Sequence, residues 1–449
     1  MSVTPSQGGS AGARAAESGR TSGAGLLLAL LTLAYLLSFF DRQLLIIMVE
    51  HLKRDLDISD TQFSLLYGFA FTTVYAAVGV IFGFAVDRLS RTRLLGAAIL
   101  IWSLGTLLSA FAHDFPQLVA ARMVVGVGEG ALAPAAYSLI ADLYASARRS
   151  RAFSLYSTGL FMGSGLSLFV GGQLLSALDH TPLRHLPIVG DVRPWQLIFL
   201  CAGPPGILLA AAFLLVREPP RGAQDLNGLS AAPREALGYL KHFIAHKAAY
   251  LRHHLGFGLH TGVGFAVTIW MPAVFLRAHH WSPLKTGMTL GLLSASCGIL
   301  GALVSGVVVE ALLKRRVSDA MLRISAINCF LLPFAVAGAS LSRQDGWALA
   351  GSAAAYFLIA FTPPQAGASL SLITPPHLRG RAGAVFFLMS QLLGVSLVPL
   401  LVAMATQRVL HNPARVGTSL AVIAFATLVP AGLALWSARS QFRVPGAAT

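Results

Sequence analysis

Apolar runs long enough to cross a bilayer recur along the whole chain, and they constrain its fold more than anything else in the sequence. A membrane-spanning helix needs about 20 mostly apolar residues. Runs of that kind lie at about 25–50, 61–86, 94–113, 116–143, 152–178 and 194–216, then at about 250–278, 284–312, 319–341, 346–373, 380–408 and 414–438. Lipid offers no partner to open backbone groups, so such runs must be helices or close into a barrel. Their length, without period-two alternation, predicts helices. The expected fold is an all-α membrane protein of twelve transmembrane helices in two six-helix bundles. Hydrophobic residues at 55% and charged residues at 11% agree with lipid as the solvent.

The net charge of +15 could suggest a nucleic-acid partner. The basic residues instead sit in short clusters between apolar runs, with no continuous basic face, which argues against nucleic acid. With both termini in the cytoplasm, 22 of the 33 Lys and Arg residues fall on the cytoplasmic side, 9 fall outside, and Arg42 and Arg122 lie within the membrane. That bias sets the orientation. Cys201, Cys297 and Cys329 lie in apolar runs without metal-ligand spacing, so neither disulfide nor zinc is expected.

The expected organisation is a disordered tail over 1–24, a bundle over 25–216, a cytoplasmic linker over 217–249, a second bundle over 250–438 and a tail over 439–449. The first apolar run is too long for a signal-peptide core. Within the linker, REPPRG stops a helix, and Leu237, Leu240, Phe243 and Ile244 then mark an amphipathic helix on the membrane surface. His242 and His246 stand one turn apart there. Lacking a third ligand, they read as a solvated face.

An internal repeat supports the two halves. GFAVDRLSRTR, from Gly83 to Arg93, recurs as GVVVEALLKRR, from Gly306 to Arg316. Both have a glycine, an acid four residues on, and bases at eight and ten. Arg149 and Arg151 find a second echo in Arg379 and Arg381. Repeated halves are a transporter signature, with substrate held between them near the midplane. Asp87 ends helix 2, where the helix dipole disfavours an anion. A topology signal with a helix stop would explain the basic residues alone. A latch between the halves explains Asp87 as well, with Gly83 allowing close approach. Asp142, ending helix 4 ahead of Arg148, poses the same problem. The expected gating set is Gly83, Asp87, Arg88, Arg91, Asp142, Arg148, Glu310 and Lys314.

These motifs resemble the major facilitator superfamily, and the first half resembles its Spinster lipid transporters. FFDRQ in helix 1, FGFAVDRLSR after helix 2, WSLGT in helix 3, RMVVGVGEGALAPAAYSLIADLY in helix 4, RSRAFS and GSGLS in helix 5 and VREPPRG after helix 6 carry the likeness in order and spacing. The second half matches loosely. The resemblance implies a bacterial inner-membrane homologue. Animal members of that group are linked to export of sphingosine-1-phosphate or lysophospholipids.

Asp41 and Arg42 in helix 1 and Arg122 and Glu129 in helix 4 sit well inside predicted spans. Intramembrane charges are costly and so should pair and face a cavity. Arg122 and Glu129, seven apart, share a helix face. One possibility is a neutral network that merely joins helices 1 and 4. The other is a transport site, and the resemblance favours it, because these positions fall on the FDR and R-x6-E patterns. The expected substrate-binding residues are Arg42, Arg122 and Glu129, and the expected proton-coupling acids are Asp41 and Glu129.

In the second half the polar candidates are His260, Asn328, Gln365 and Gln391, with Phe265, Trp270, Phe357 and Phe361 at similar depth. Glycines in helices 5 and 7 and Pro363–Pro364 in helix 10 are expected to bend or pack helices.

With no Walker motif and no hydrolytic or metal constellation, the chain reads as a secondary transporter and not an enzyme, without cofactor, and working as a monomer. Its expected partners are membrane lipids, protons and an amphipathic or anionic small molecule, foremost a lipid with an anionic head. Small organic anions or drugs are the alternative substrates, and a non-transporting membrane sensor is the alternative class.

Overall fold

The computed structural model describes residues 8–144, 146–178, 184–186, 190–220, 241–375 and 378–443. Among them are twelve helices long and apolar enough to cross a membrane. Spans 1 to 6 are Gly23–Ile47, Asp60–Gly83, Arg91–Ser109, Phe115–Leu143, Leu155–Leu178 and Pro194–Leu215. Spans 7 to 12 are Lys247–Arg277, Pro283–Lys314, Ala320–Leu341, Asp345–Ile373, Arg381–Val409 and Pro413–Gln441. Their starts carry local stop and start signals. Ser59 and Gln62 form a capping box before span 2. Ser90, Asp114 and Ser282 cap spans 3, 4 and 8.

The packing has the symmetry the repeat implies. Span 2 crosses span 11, and span 8 crosses span 5. Adding or subtracting six turns the first pair into the second. Spans 3 and 6 pack together, as do their mates 9 and 12. At the 5–8 crossing a Cβ on Gly172 would stand 2.8 Å from the Pro283 carbonyl, so a larger residue there would push the halves apart. Spans 2 and 11 meet through π-helical turns, Leu65–Ala70 and Ser390–Leu397.

Two spans are broken where the sequence has glycine or proline. Span 4 divides into Phe115–Glu129 and Leu132–Leu143 around Gly130. Span 10 divides into Asp345–Phe361 and Pro363–Ile373, with Pro363 and Pro364 opening the second piece. The helix of span 5 runs unbroken from Ser146 to Leu178, so its glycines serve close packing and not bending.

Three expectations about the ends and linker change. Helix Gly8–Ile47 runs back through the segment expected as a disordered tail, although that stretch is as rich in glycine as in alanine. At the other end Phe442 is buried and stacks on His253, so the start of the 439–449 tail belongs to the core. In the linker, Leu237 and Leu240 lie outside the described residues, while 241–245 are helical. His242 is half-buried, with its Nε2 2.9 Å from the Ile373 carbonyl, and so does not belong to a solvated face. A short antiparallel ladder, β1 (Arg184–Leu186) with β2 (Gly190–Val192), stands in the connection between spans 5 and 6.

Candidate functional site

Asp41, Arg42, Arg122 and Glu129 are all buried, with Arg122 at 0% and Glu129 at 1% exposure. They form two ion pairs, each joining span 1 to span 4. Arg42 Nη2 lies 2.5 Å from Glu129 Oε2, and Arg122 Nη1 lies 3.0 Å from Asp41 Oδ2. Asp41 and Arg42 are neighbours in sequence but point to different faces of the helix, so each finds its partner on span 4. Glu129 stands at the break of span 4.

Several contacts hold this cluster. Ser38 Oγ donates to Glu129 Oε2 at 2.8 Å. The Arg42 guanidinium lies 4.2 Å from the centre of the Phe71 ring, with Phe39 and Tyr75 nearby. One helical position on, Gln43 Oε1 accepts from Tyr67 at 2.9 Å. Each carboxylate leaves one oxygen, Asp41 Oδ1 or Glu129 Oε1, buried without a hydrogen-bond partner among the described residues. Arg42 Nε and Arg122 Nε and Nη2 are buried and unpartnered in the same way. Such groups are costly to leave unmet, so the cluster holds free acceptor and donor capacity beside its ion pairs. Ser38 and Tyr67 escaped the sequence reading because isolated Ser and Tyr in apolar spans are common.

The second half supplies neutral polar groups. His260 Nε2 lies 3.4 Å from Asn328, whose amide also reaches the Leu358 carbonyl at 2.8 Å. Gln365 donates to Ser305 at 2.7 Å. Gln391 is buried on the π-helical turn of span 11. Trp270 bonds the Pro399 carbonyl and packs edge-on against Phe63 across the half-interface, a packing role.

At the face opposite the termini a second charged group crosses between the halves. Arg277, ending span 7, bonds Asp60 through Nη1 and Nη2, both at 2.8 Å, and Glu50 through Nε at 2.6 Å. Lys53 adds a contact to Asp60 at 2.6 Å. Thr61 and Gln407 join the same seam. None of these was singled out from sequence. The signal was a base at the outer end of span 7 and an acid in the first turn of span 2. Cross-half contacts continue to Tyr75 and Phe387, near the middle of span 2.

The terminus-bearing face is arranged differently. No atom lies within 4 Å of where a Cβ on Gly83 or Gly306 would stand. Among the described residues, nothing packs against Gly83 at that distance in this state. Arg91 is buried and pairs with Asp142 and with Glu218, all within the first half. Asp142 is thus met by Arg91 of span 3. Glu310 and Lys314 form an exposed pair one turn apart, 2.7 Å long, on their own helix. Arg88 is exposed, and the side chains of Asp87 and Arg148 lie outside the described set.

Glu218, missed in the sequence reading, anchors this corner. It accepts from the Thr92 amide at 2.9 Å, Ser90 Oγ at 3.0 Å and Arg91 Nε at 2.6 Å. Burial pushes its carboxyl up, but the Thr92 amide, the Arg91 guanidinium and Ser90 together outweigh burial and hold it below the usual glutamate value. Among the described residues no group of three or more His, Cys, Asp or Glu could hold a metal.

Two pseudo-symmetric six-helix halves, with a buried charge cluster in one of them, define a polytopic membrane transporter. The chain belongs to the Major Facilitator Superfamily, whose model matches residues 31–399. It is an integral membrane protein and a transporter, not an enzyme. It is similar to an MFS-type efflux pump of Mycolicibacterium smegmatis, 24% identical over 92% of this chain and 92% of that protein. Protein spinster homolog 1 of Homo sapiens is 28% identical, covering 86% of this chain and 74% of that one. The fold matches a crystal structure of a bacterial homologue of the human lysosomal transporter Spinster, inward-facing and unoccupied. That match has a TM-score of 0.79 and 23% identity, over 94% of this chain and 99% of the other. The crystal structure of a D-xylose–proton symporter shares the fold with a TM-score of 0.65 and 19% identity, over 93% of this chain and 97% of the other.

Proposed function

We propose that this transporter works by alternating access and moves an amphipathic lipid with an anionic head, such as a lysophospholipid or sphingoid phosphate, coupled to protons. The supporting observation is the doubled ion pair between spans 1 and 4. Each carboxylate has one oxygen on an arginine and a second oxygen buried without a partner among the described residues. Protonating that second oxygen weakens the pair and releases guanidinium donors. Asp41 releases Arg122, and Glu129 releases Arg42. With all four groups charged the cluster is neutral, and one added proton leaves a positive site suited to a phosphate. Proton and anion then bind cooperatively, and by reciprocity each raises the affinity for the other. The polar groups that the second half supplies, His260, Asn328 and Gln365, are neutral, which leaves the positive charge for the head group on the first half.

The Lys and Arg bias supports an inner-membrane protein with both termini in the cytoplasm. On that reading the state described here is closed outside by Arg277 and open inside, and the protein functions as a monomer. Asp87, Arg88, Arg148, Glu310 and Lys314 would form the inner latch in the opposite state. Uptake of lysophospholipid into proteoliposomes, with and without a pH gradient, tests the proposal. Accumulation only with the gradient supports it. Equal movement in protein-free vesicles overturns it. The efflux-pump relative favours a second reading, a proton-coupled carrier of small organic anions or drugs using the same cluster without a tail.

A further inference from the structure

A cavity of about 390 Å3 opens at the terminus-bearing end of spans 3 and 6, lined by Ser90, Thr92, Arg93, Leu215, Arg217 and Glu218 among others. Its floor is built. Glu218 takes the donors at the start of span 3, as described above. At Gly96 a Cβ would stand 2.8 Å from Leu214, so the missing side chain lets the end of span 6 close onto span 3. That approach brings Arg217, two residues past the end of span 6, into the lining of the same cavity as Arg93.

Arg93 and Arg217 are not used by this floor. Both are exposed, and neither guanidinium has an ion-pair or hydrogen-bond partner among the described residues. Arg91 takes both described carboxylates of this corner, Asp142 and Glu218. The next residues along span 6 are apolar and open, with Leu215 85% and Leu214 51% exposed, and Leu208 continues the strip at 74%. Spans 3 and 6 pack chiefly on each other and on first-half spans. Their exposed apolar side chains therefore look outward to lipid and away from the half-interface.

We propose that this cavity binds the head group of an anionic phospholipid, with its phosphodiester between Arg93 and Arg217 and an acyl chain along Leu214, Leu215 and Leu208. Two guanidinium forks match phosphate oxygens in a way that two ammonium groups do not. The adjoining leucines favour a membrane lipid over free phosphate, because only a lipid covers them. Basic residues at the membrane surface attract anionic lipid, and here two of them flank a cavity instead of lying on a flat face. The site lies outside the proposed transport path and stands whatever substrate the protein carries.

The test is native mass spectrometry of the purified full-length protein, exchanged against phosphatidylglycerol and phosphatidylcholine in equal amounts. The wild type should retain phosphatidylglycerol preferentially. Arg93→Gln with Arg217→Gln should lower that preference about tenfold. Arg93→Lys with Arg217→Lys should recover part of it. Arg315→Gln with Arg316→Gln, on the same face of the second half, should leave it intact. Both residues in the site are exposed, so an unchanged melting temperature in phosphatidylcholine verifies folding. Equal retention of the two lipids by the wild type would overturn the proposal. So would an undiminished preference in the double glutamine variant, or equal loss in the Arg315 and Arg316 variant, which would indicate general surface charge. Displacement of the lipid by excess inorganic phosphate would show a plain anion site and also overturn it.

Discussion

Arg277 and Asp60 meet fork to fork across the two halves of the transporter, with two N–H···O bonds of 2.8 Å between groups that are almost fully buried. A bidentate geometry of this kind is directional as well as strong. It exists only while spans 2 and 7 are together, so it weights one conformational state.

Removing one partner of a buried pair costs roughly 3–5 kcal/mol when the other charge is left unmet, and less here because Glu50 still holds Arg277 Nε. Here that cost falls on the state closed at the far face. Asp60→Asn is expected to shift the population towards opening of that face by about tenfold. Spin-label distances across the face measure it, and an unchanged distribution would assign the pair a local role. Asp87→Asn is expected to shift the population the other way, towards opening of the terminus-bearing face.

Arg42→Lys keeps the charge and removes the fork. The lysine can still pair with Glu129, so folding should survive. A charge-assisted hydrogen bond is worth roughly 1.5–3 kcal/mol, and losing one weakens anionic substrates about tenfold to a hundredfold. Neutral analogues should be affected much less. Titration of both kinds of ligand reads the difference, and equal losses would point to a structural role.

Asp41→Asn mimics the protonated acid and leaves Arg122 Nη1 without its charged partner. Binding should be retained while its pH dependence, and any proton-driven accumulation, is lost. Binding and proteoliposome uptake across pH check this. If the variant keeps the wild-type pH profile, Glu129 becomes the coupling acid.

The depressed carboxyl of Glu218 gives a signed pH prediction. Its folded-state pKa lies below the ordinary value of 4.5. The group therefore contributes stability that is fully present above about pH 4.5 and is lost as pH falls through the folded value. Glu218 is partly exposed, so solvent screens the effect. Glu218→Gln should melt at a lower temperature at neutral pH, with the difference from wild type shrinking in acid. Thermal unfolding in detergent at several pH values reads both.

The twelve spans, the two halves and the identity of the buried charges were legible in the sequence because they are local properties. Apolar length decides whether a segment crosses lipid, and an Asp or Arg inside such a run must find a partner. The break at Pro363 was not local in that way, since Pro272, Pro333 and Pro430 stand inside helices that continue through them. Which partner each charge takes was not local. Asp41 and Arg42 are adjacent, yet helical geometry points them apart, and the register of span 4 sends Arg42 to Glu129 and Asp41 to Arg122. Arg277, Asp60 and Glu218 look like ordinary surface charges in a one-dimensional reading. Only the packing of the two halves brings Arg277 to Asp60, and only the approach of span 6 to span 3 at Gly96 sets Glu218 over the amide of Thr92. An ion pair acts over a few ångströms, and distances of that size between separate helices are decided by how their side chains interlock.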